Sequence, residues 1–206
     1  WYGEQWPEGH RYTSILGEYD SSDPVVIDDH IDELKYGLID AGIYSWWGRY
    51  SPTDLRFAAY LDAGQAKGFE WAIYYELDYD GQRSAQAIRQ DIRHLRDHYF
   101  DRPAYLHVGG KPVVFVYSPG GDCASVAKWR TIRDQYGLYV SMTDVPNWWT
   151  CNVLDSWHAY RPAERLASVY GGQTLYSMSG SAGVWAAWEA EPRLARDYAA
   201  WESAVA

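Results

Sequence analysis

The chain has 206 residues, with 18 Lys and Arg against 28 Asp and Glu, which gives a formal net charge of −10. A hydrophobic share of 47% supports a packed core, and 22% charged residues is too few for a disordered chain, so we expect one folded domain over residues 1–206. The acidic balance, without any run of Lys or Arg, argues against nucleic acid as a partner, and no apolar run reaches the ~20 residues that membrane insertion requires.

Predicted helices and strands alternate along the chain. Apolar residues recur on one helical face over residues 26–41, and Gly42 is expected to end that helix. Further helices are predicted at about 51–67, 83–100, 123–136 and from 192 to the C-terminus. Short apolar runs predict strands at 43–47, 71–77, 112–117, 138–142, 153–157 and 175–178. This alternation predicts an α/β fold with a parallel sheet covered by helices, either doubly wound or closed into a barrel.

Two observations favour the barrel. The sequence contains no glycine-rich phosphate-binding fingerprint, and its polar and aromatic candidates fall at or just after strand ends, where a (β/α) barrel collects its functional residues. A closed barrel needs eight strands, which is more than the apolar runs supply. We therefore expect a (β/α)8 TIM-type barrel that is incomplete in this chain, with its first and last strands missing or truncated, in a segment of a longer protein.

The aromatic composition indicates a class of ligand. The chain has 12 Trp and 19 Tyr but only 4 Phe. Trp and Tyr combine a flat apolar face with a polar edge, and sugars present C–H faces together with hydroxyl groups, so these residues suit a saccharide site. The alternative is that the rings fill the core, and the pair Trp46-Trp47 fits either interpretation.

Glu76 is the first candidate for a catalytic carboxyl group. It follows an apolar strand, so its side chain is expected in a barrel mouth where desolvation raises a carboxyl pKa toward the range that acid/base catalysis needs. The alternative is a residue that orients sugar hydroxyls without transferring a proton. Asp144 and Asp155 are secondary candidates, whereas Asp78 and Asp80 are interpreted as ordinary turn residues.

His158 lies at a strand end and is interpreted as a partner of a sugar hydroxyl or as a proton relay. The helical residues His30, His94 and His98 are expected to be solvated. His, Cys and acidic residues show no ligand spacing, so neither a metal nor another cofactor is predicted.

Cys123 and Cys151 are expected to lie in loops on the same face of neighbouring units, where a disulfide would join two loops of the site. The alternative is a pair of unrelated small core residues. A bridge favours an exported protein, so we expect an extracellular or cell-surface location.

Several motifs now stand in order along the chain: Gly-Glu-Tyr-Asp-Ser-Ser-Asp at 17–23, Ser-Trp-Trp-Gly at 45–48, Tyr-Tyr-Glu at 74–76, Lys-Pro-Val-Val-Phe-Val-Tyr at 111–117, Asp-Ser-Trp-His-Ala-Tyr at 155–160 and Pro-Arg-Leu-Ala-Arg-Asp at 192–197. As a set they resemble the glycoside hydrolase family 99-like domains, the last two stretches resembling bacterial members. The resemblance implies a (β/α) barrel and endo-acting hydrolysis of α-mannosides.

The resemblance also implies roles for single residues. Tyr2 stands where the family closes its first strand with an aromatic residue, Trp46 or Trp47 where an aromatic residue lines the sugar site, and Glu76 where a carboxylate contacts the substrate. The family's principal catalytic carboxylates lie in an Asn-Glu-Trp-x-Glu-Gly motif, which this sequence does not contain.

We therefore predict a glycoside hydrolase acting on an α-linked, mannan-like oligosaccharide or polysaccharide by carboxylate acid/base chemistry. The alternatives are a non-catalytic carbohydrate-binding domain and a partner domain in surface-polysaccharide assembly. The predicted substrate-binding residues are Tyr2, Trp46, Trp47, Tyr117, Asp144, Trp157 and His158.

Overall fold

A computed structural model of the chain describes residues 16–117, 120, 122–143, 151 and 154–158, together with the backbone of 176–177. The predicted helix from residue 192 and the candidates Tyr2 and Asp144 lie outside these residues.

The described residues form helices and strands in alternation. The α-helices are α1 (Pro24–Tyr36), α2 (Pro52–Lys67), α3 (Ala85–Leu95) and α4 (Cys123–Tyr136). A 3₁₀ turn lies at Tyr79–Gly81, and a π-helical turn, Arg96–Phe100, follows α3. The strands are β1 (Ala41–Trp46), β2 (Glu70–Tyr75), β3 (His107–Val108), β4 (Lys111–Val116), β5 (Tyr139–Thr143), β6 (Ser156–His158) and β7 (Tyr176–Ser177).

Helix α1 ends earlier than its apolar pattern predicted. The Asp23 side chain accepts a hydrogen bond from the Val25 amide at 2.9 Å and caps the start of the helix. At the other end Gly37 caps the helix, and Leu38 then adopts a left-handed φ of 59°. The prediction that the helix continues to residue 41 is wrong, because Leu38 is an exposed turn residue rather than part of the buried face.

A short antiparallel hairpin precedes the central strand β4. His107 pairs with Pro112 and Val108 with Lys111, so β3 folds back onto β4. Gly109 and Gly110 both have positive φ, at 58° and 75°, as a type I′ turn requires. β3 is only two residues long and was not predicted from the sequence.

The six parallel strands follow one another across the sheet in the order β1-β2-β4-β5-β6-β7, and each is parallel to its neighbour. A doubly wound sheet reverses its direction of winding at a switch point, whereas a (β/α) barrel adds each strand on the same side. The unreversed order confirms the barrel prediction and identifies this sheet as an arc of such a barrel.

The two faces of the arc have different neighbours. Outward-facing side chains pack against the helices: Tyr75 lies 5.1 Å from Trp129 of α4, and Tyr44 lies 4.9 Å from Phe57 of α2, measured between ring centroids. The helices and this outward face together form the hydrophobic core. Alternation along each strand turns the intervening residues to the inside of the arc.

Candidate functional site

The strand register places one row of side chains inside the arc at the carboxyl ends of the strands. Trp46, Tyr75, Val116, Met142 and Trp157 are paired across the strands and form an outward row. Because side chains alternate, the residue after each of these belongs to the inward side. The inward row is therefore Trp47, Glu76, Tyr117, Thr143 and His158.

Glu76 occupies the second position of this row and is half-buried. The Ser45 hydroxyl of the neighbouring strand β1 donates a hydrogen bond to Glu76 Oε1 at 2.5 Å. Desolvation raises the pKa of Glu76 above its ordinary value, and the Ser45 hydrogen bond opposes that rise because it stabilises the ionised form. The site thus holds an inward carboxyl group that retains its proton to higher pH than an exposed glutamate.

His158 joins three strands at the inner surface of the arc. Its Nε2 lies 3.0 Å from the Tyr74 hydroxyl on β2, and its Nδ1 lies 3.0 Å from the Ser141 hydroxyl on β5. Burial lowers the pKa of His158 to about 4, so the ring is neutral at physiological pH. A neutral imidazole has one donor and one acceptor nitrogen, and here both have a hydroxyl partner. This geometry makes His158 an anchor for Tyr74.

Aromatic rings continue from His158 toward the rim of the arc. The Tyr74 ring centroid lies 5.5 Å from that of His158 and 5.9 Å from that of Tyr117. Tyr117 is stacked in turn on Tyr79, with centroids 6.3 Å apart and planes inclined by 25°. The rings form a wall on the β4 side of Glu76.

Trp47 stands on the other side of Glu76, after the end of β1. Its backbone N–H donates to the Thr53 hydroxyl at 3.0 Å, and 53% of the residue is exposed. The indole ring is therefore available to solvent beside the carboxyl end of the sheet.

Trp46 and Trp157 do not belong to the inward row, contrary to expectation. Trp46 is fully buried, its Nε1 donates to Asp54 at 2.8 Å, and its ring is stacked on Tyr75. Trp157 is buried on the same outward side. Each is one position from an inward residue, and a shift of one position along a strand reverses the face.

Asp155 also lies away from the site. It precedes β6, at the amino end of the sheet, and its Oδ2 accepts a hydrogen bond from the Val140 amide at 3.0 Å. Asp155 therefore supports the pairing of β5 and β6, and its interpretation as a secondary catalytic candidate is not supported.

Three buried aspartates on the helix side of the sheet, Asp54, Asp91 and Asp78, bind the loops that follow β1 and β2. Asp54 of α2 accepts hydrogen bonds from Trp46, from the Tyr50 amide at 2.8 Å, from His94 at 2.9 Å and from Tyr99 at 3.1 Å. The His94 side chain is only 8% exposed, so the expectation that it is solvated is wrong. This network fixes the loop between β1 and α2, which begins with Trp47.

Asp91 of α3 is the second buried carboxylate. It accepts hydrogen bonds from Arg49 Nε at 2.8 Å, from Arg83 Nε at 2.8 Å and from the Tyr75 hydroxyl at 2.6 Å. Burial, reinforced by the Asp91 carboxylate, raises the pKa of Tyr75 far above its ordinary value. Because the two arginines follow β1 and β2 respectively, one carboxylate ties two neighbouring loops together.

Asp78, predicted to be an ordinary turn residue, is the third and is fully buried. It accepts hydrogen bonds from Lys128 Nζ at 2.8 Å, from Trp129 Nε1 at 2.7 Å and from the Arg83 amide at 3.0 Å. These contacts fix the loop that follows Glu76 onto helix α4.

Cys123 and Cys151 form a disulfide, with Cα atoms 5.2 Å apart. Cys123 begins α4 and Cys151 follows β5, so the bridge joins the chain after β4 to the chain after β5. It links two segments that leave the carboxyl edge of the sheet.

Among the described residues, no group of three or more His, Cys, Asp or Glu has the arrangement of a metal site. Within the same residues, no helix is both long enough and apolar enough to span a membrane.

The unreversed parallel arc, with a carboxyl group and aromatic rings at its carboxyl edge, defines a protein of the (β/α)-barrel class. The family model described as glycosyl hydrolase family 99 matches residues 8–142. The chain belongs to glycosyl hydrolase family 99, which confirms the resemblance seen in the sequence motifs.

Two curated relatives and two solved structures extend this finding. The glycoprotein endo-alpha-1,2-mannosidase of Mus musculus is 25% identical over 120 residues, which cover 53% of this chain and 26% of the relative. A Mus musculus glycoprotein endo-alpha-1,2-mannosidase-like protein is 26% identical over 138 residues, covering 63% of this chain and 30% of the relative.

Two structures of the family 99 endo-alpha-mannosidase from Bacteroides thetaiotaomicron, one in complex with bis-tris propane, share the fold at 23% identity, with TM-scores of 0.61 and 0.62. In both cases 74% of this chain is covered, against 48% and 50% of the matched chains. The chain therefore spans about half the length of the matched structures and less than a third of the curated relatives.

Proposed function

We propose that this chain is part of a glycoside hydrolase that cleaves an α-linked, mannose-containing oligosaccharide or polysaccharide, and that the inward row is its sugar-binding edge. Membership in family 99 and the endo-mannosidase relatives support this proposal. The observation that carries it is the position of Glu76, a half-buried inward carboxyl group between Trp47 and the tyrosine wall.

Glycoside hydrolysis uses a pair of carboxyl groups, one protonated and one ionised, on either side of the scissile bond. Desolvation raises the pKa of Glu76, and the Ser45 hydrogen bond lowers it. Because a bound ligand would exclude further water from the carboxyl group, ligand binding would raise this pKa more. In this proposal Glu76 contacts a sugar hydroxyl through Oε2 and serves as one of the carboxyl groups that transfer protons or orient the reacting ring. Trp47, Tyr117 and His158 complete the site, the last by holding Tyr74.

We also propose that residues 1–206 are part of one barrel within a longer protein, because the chain covers only about half of the matched barrel structures. An extracellular or cell-surface location is proposed on the basis of the disulfide.

A second function, carbohydrate binding without hydrolysis, is compatible with the same aromatic rings. Whether the Asn-Glu-Trp-x-Glu-Gly motif follows residue 206 in the full-length protein separates the two functions. A binding domain would use the same aromatic row but would not need a second carboxyl group.

The test compares the full-length protein with its Glu76→Gln variant on a panel of α-linked and β-linked oligosaccharides, with product analysis and binding measured in parallel. We expect the wild type to release products from α-mannan oligosaccharides and Glu76→Gln to lose most of that rate. Glu70→Gln is the matched control, because Glu70 is exposed at the opposite end of the same strand and should leave the rate unchanged. Binding without product release from any oligosaccharide would favour the binding domain.

A further inference from the structure

Tyr79, which is not among the site residues predicted from the sequence, presents an exposed ring at the rim of the site. The residue is 58% exposed, and its ring is stacked on Tyr117 of the inward row. We propose that Tyr79 binds a further sugar ring of a longer saccharide chain, beyond the two units held at Trp47 and Glu76. This inference rests on the proposed function and extends it to the length of saccharide that the site recognises.

The turn that carries Tyr79 is fixed before any ligand binds. Lys128 Nζ donates to the Gly81 carbonyl at 2.9 Å and to the Asp78 carboxylate at 2.8 Å, so both ends of the turn are tied to α4. The Gly81 amide donates to the Asp78 carbonyl at 2.8 Å and closes the turn. An exposed aromatic residue on a fixed turn loses little conformational entropy when a ligand stacks on it.

A second segment packs against the same turn from the β4 side. A Cβ atom on Gly120 would lie 3.1 Å from the Asp80 carbonyl oxygen, so the two backbones are in close contact. Asp80 itself has a left-handed φ of 55°, which turns the chain back sharply after Tyr79. The backbone near Gly120 contacts one side of the turn, and Lys128 binds the other side. The Tyr79 ring remains facing solvent.

The order of the strands decides where this ring lies relative to the carboxyl group. Trp47 follows β1, Glu76 follows β2, and Tyr79 is stacked on the residue that follows β4. Trp47 and Tyr79 are therefore on opposite sides of Glu76 along the edge of the sheet. A saccharide of several units could contact both rings while a central unit lies at Glu76, whereas a disaccharide held at Trp47 and Glu76 would leave Tyr79 unoccupied.

The ligand class follows from the groups that line this edge. Tyrosine and tryptophan faces bind the C–H surface of a sugar ring, and the Tyr79 hydroxyl can exchange hydrogen bonds with sugar hydroxyls. The formal net charge of −10 disfavours a polyanionic chain by charge repulsion. An uncharged α-linked oligosaccharide fits both features.

The experiment measures dissociation constants of the full-length protein for α-mannobiose and for an α-linked mannopentaose by calorimetry. For Tyr79→Ala we expect about tenfold weaker binding of the pentasaccharide, which corresponds to ~1.4 kcal/mol, and unchanged binding of the disaccharide. Tyr79→Phe should weaken pentasaccharide binding much less than Tyr79→Ala, since the ring face is preserved and only the hydroxyl is lost. Tyr36→Ala is the control, because Tyr36 is 92% exposed at the far end of α1.

The ratio of the two dissociation constants does not depend on the fraction of folded protein, so it reports on Tyr79 even if the variant is less stable. Equal affinities of Tyr79→Ala and wild type for the pentasaccharide would overturn the inference and leave the proposed function standing. Equal weakening for both lengths would also overturn it, because Tyr79 would then act only through Tyr117. A wild type that neither binds nor cleaves any α-linked oligosaccharide would overturn the proposed function, and the inference with it.

Discussion

The Ser45 hydroxyl donates to Glu76 Oε1 at 2.5 Å, across the two strands that begin the arc. This hydrogen bond lowers the pKa of Glu76, whereas desolvation raises it, and desolvation is the larger effect. The protonation state of the carboxyl group therefore depends first on its burial and, in the opposite direction, on the Ser45 hydroxyl.

Replacement of Ser45 by alanine should raise the pKa of Glu76 further, because the ionised form loses its hydrogen-bond donor. Carboxyl-labelled NMR titration of the full-length protein measures the effect directly. Ser141→Ala is the control, since the Ser141 hydroxyl contacts His158 rather than Glu76. A Glu76 pKa that stays constant or falls in Ser45→Ala would show that the hydrogen bond does not stabilise the ionised form.

The buried imidazole of His158 should make stability depend on pH in a defined range. Its pKa is about 4 in the folded protein against 6.5 for an unperturbed histidine, so between these values the unfolded chain binds the extra proton. The free energy of unfolding therefore falls as the pH drops from 6.5 to 4, by about 3 kcal/mol from this residue, and the loss is complete below that range.

The free energy of unfolding, measured with urea at several pH values in this range, should change less with pH in His158→Gln than in the wild type. His98→Gln provides the comparison, because His98 is exposed at the start of the segment after α3. If the free energy of unfolding changes equally with pH in the wild type and in His158→Gln, His158 is not the cause of the loss of stability at low pH.

The buried pair of Asp78 and Lys128 should dominate the stability of the loop after β2. Asp78→Asn removes the charge that compensates Lys128 and weakens the acceptor for Trp129, so we expect a loss of about 3 kcal/mol in the free energy of unfolding. Asp80→Asn, two residues away in an exposed position, should change it by less than about 0.5 kcal/mol. Equal effects of the two substitutions would contradict the buried network.

Gly42 allows the rings between β1, α2 and β2 to pack. A Cβ atom at this position would lie 2.2 Å from Trp71 Cζ3, and Trp71 is held by edge-to-face contacts with Tyr60 and Phe69. Gly42→Ala should therefore lower stability by about 1 to 3 kcal/mol in thermal or urea unfolding. At Gly37 the nearest atom would be 3.3 Å away, so Gly37→Ala should cost clearly less, and a reversed order would be inconsistent with this packing.

The disulfide closes a separation of 28 residues between two segments at the site edge. Replacement of Cys123 and Cys151 together by alanine should lower stability by about 3 kcal/mol, because the unfolded chain regains the entropy of the closed loop. A reductant should destabilise the wild type by a similar amount and leave the double variant unaffected. If the reductant also destabilised the double variant, its effect on the wild type could not be assigned to the Cys123–Cys151 disulfide.

The sequence was sufficient to predict the parallel arc, and the candidate residues Glu76, Tyr117 and His158 were selected at its carboxyl edge. It did not show which of two adjacent residues faces inward, so Trp46 and Trp157 were selected with Trp47 and His158. Strands buried on both faces lack the polar alternation that would reveal the face. A weaker signal was present, because the polar residues of these strands all lie on the inward side: Ser45 in β1, Ser141 and Thr143 in β5, and Ser156 and His158 in β6.

The buried role of Asp78 had no local signal at all. Its neighbours in sequence are those of an ordinary turn, and its partner Lys128 is 50 residues away. The same holds for Asp54, whose partner His94 is 40 residues away. Contacts over such separations depend on how the helices pack, which periodicity and turn chemistry do not specify.

The alternation of faces also separates two kinds of evolutionary constraint. Outward residues such as Trp46 and Tyr75 donate hydrogen bonds to buried aspartates, so most substitutions there should lower stability. Inward residues such as Trp47 and Glu76 lie one position away and contribute little to that framework. In a lineage whose ligand changes, we expect replacements to accumulate at inward positions such as 47 and 76, while the outward positions and the inward residue His158 are retained.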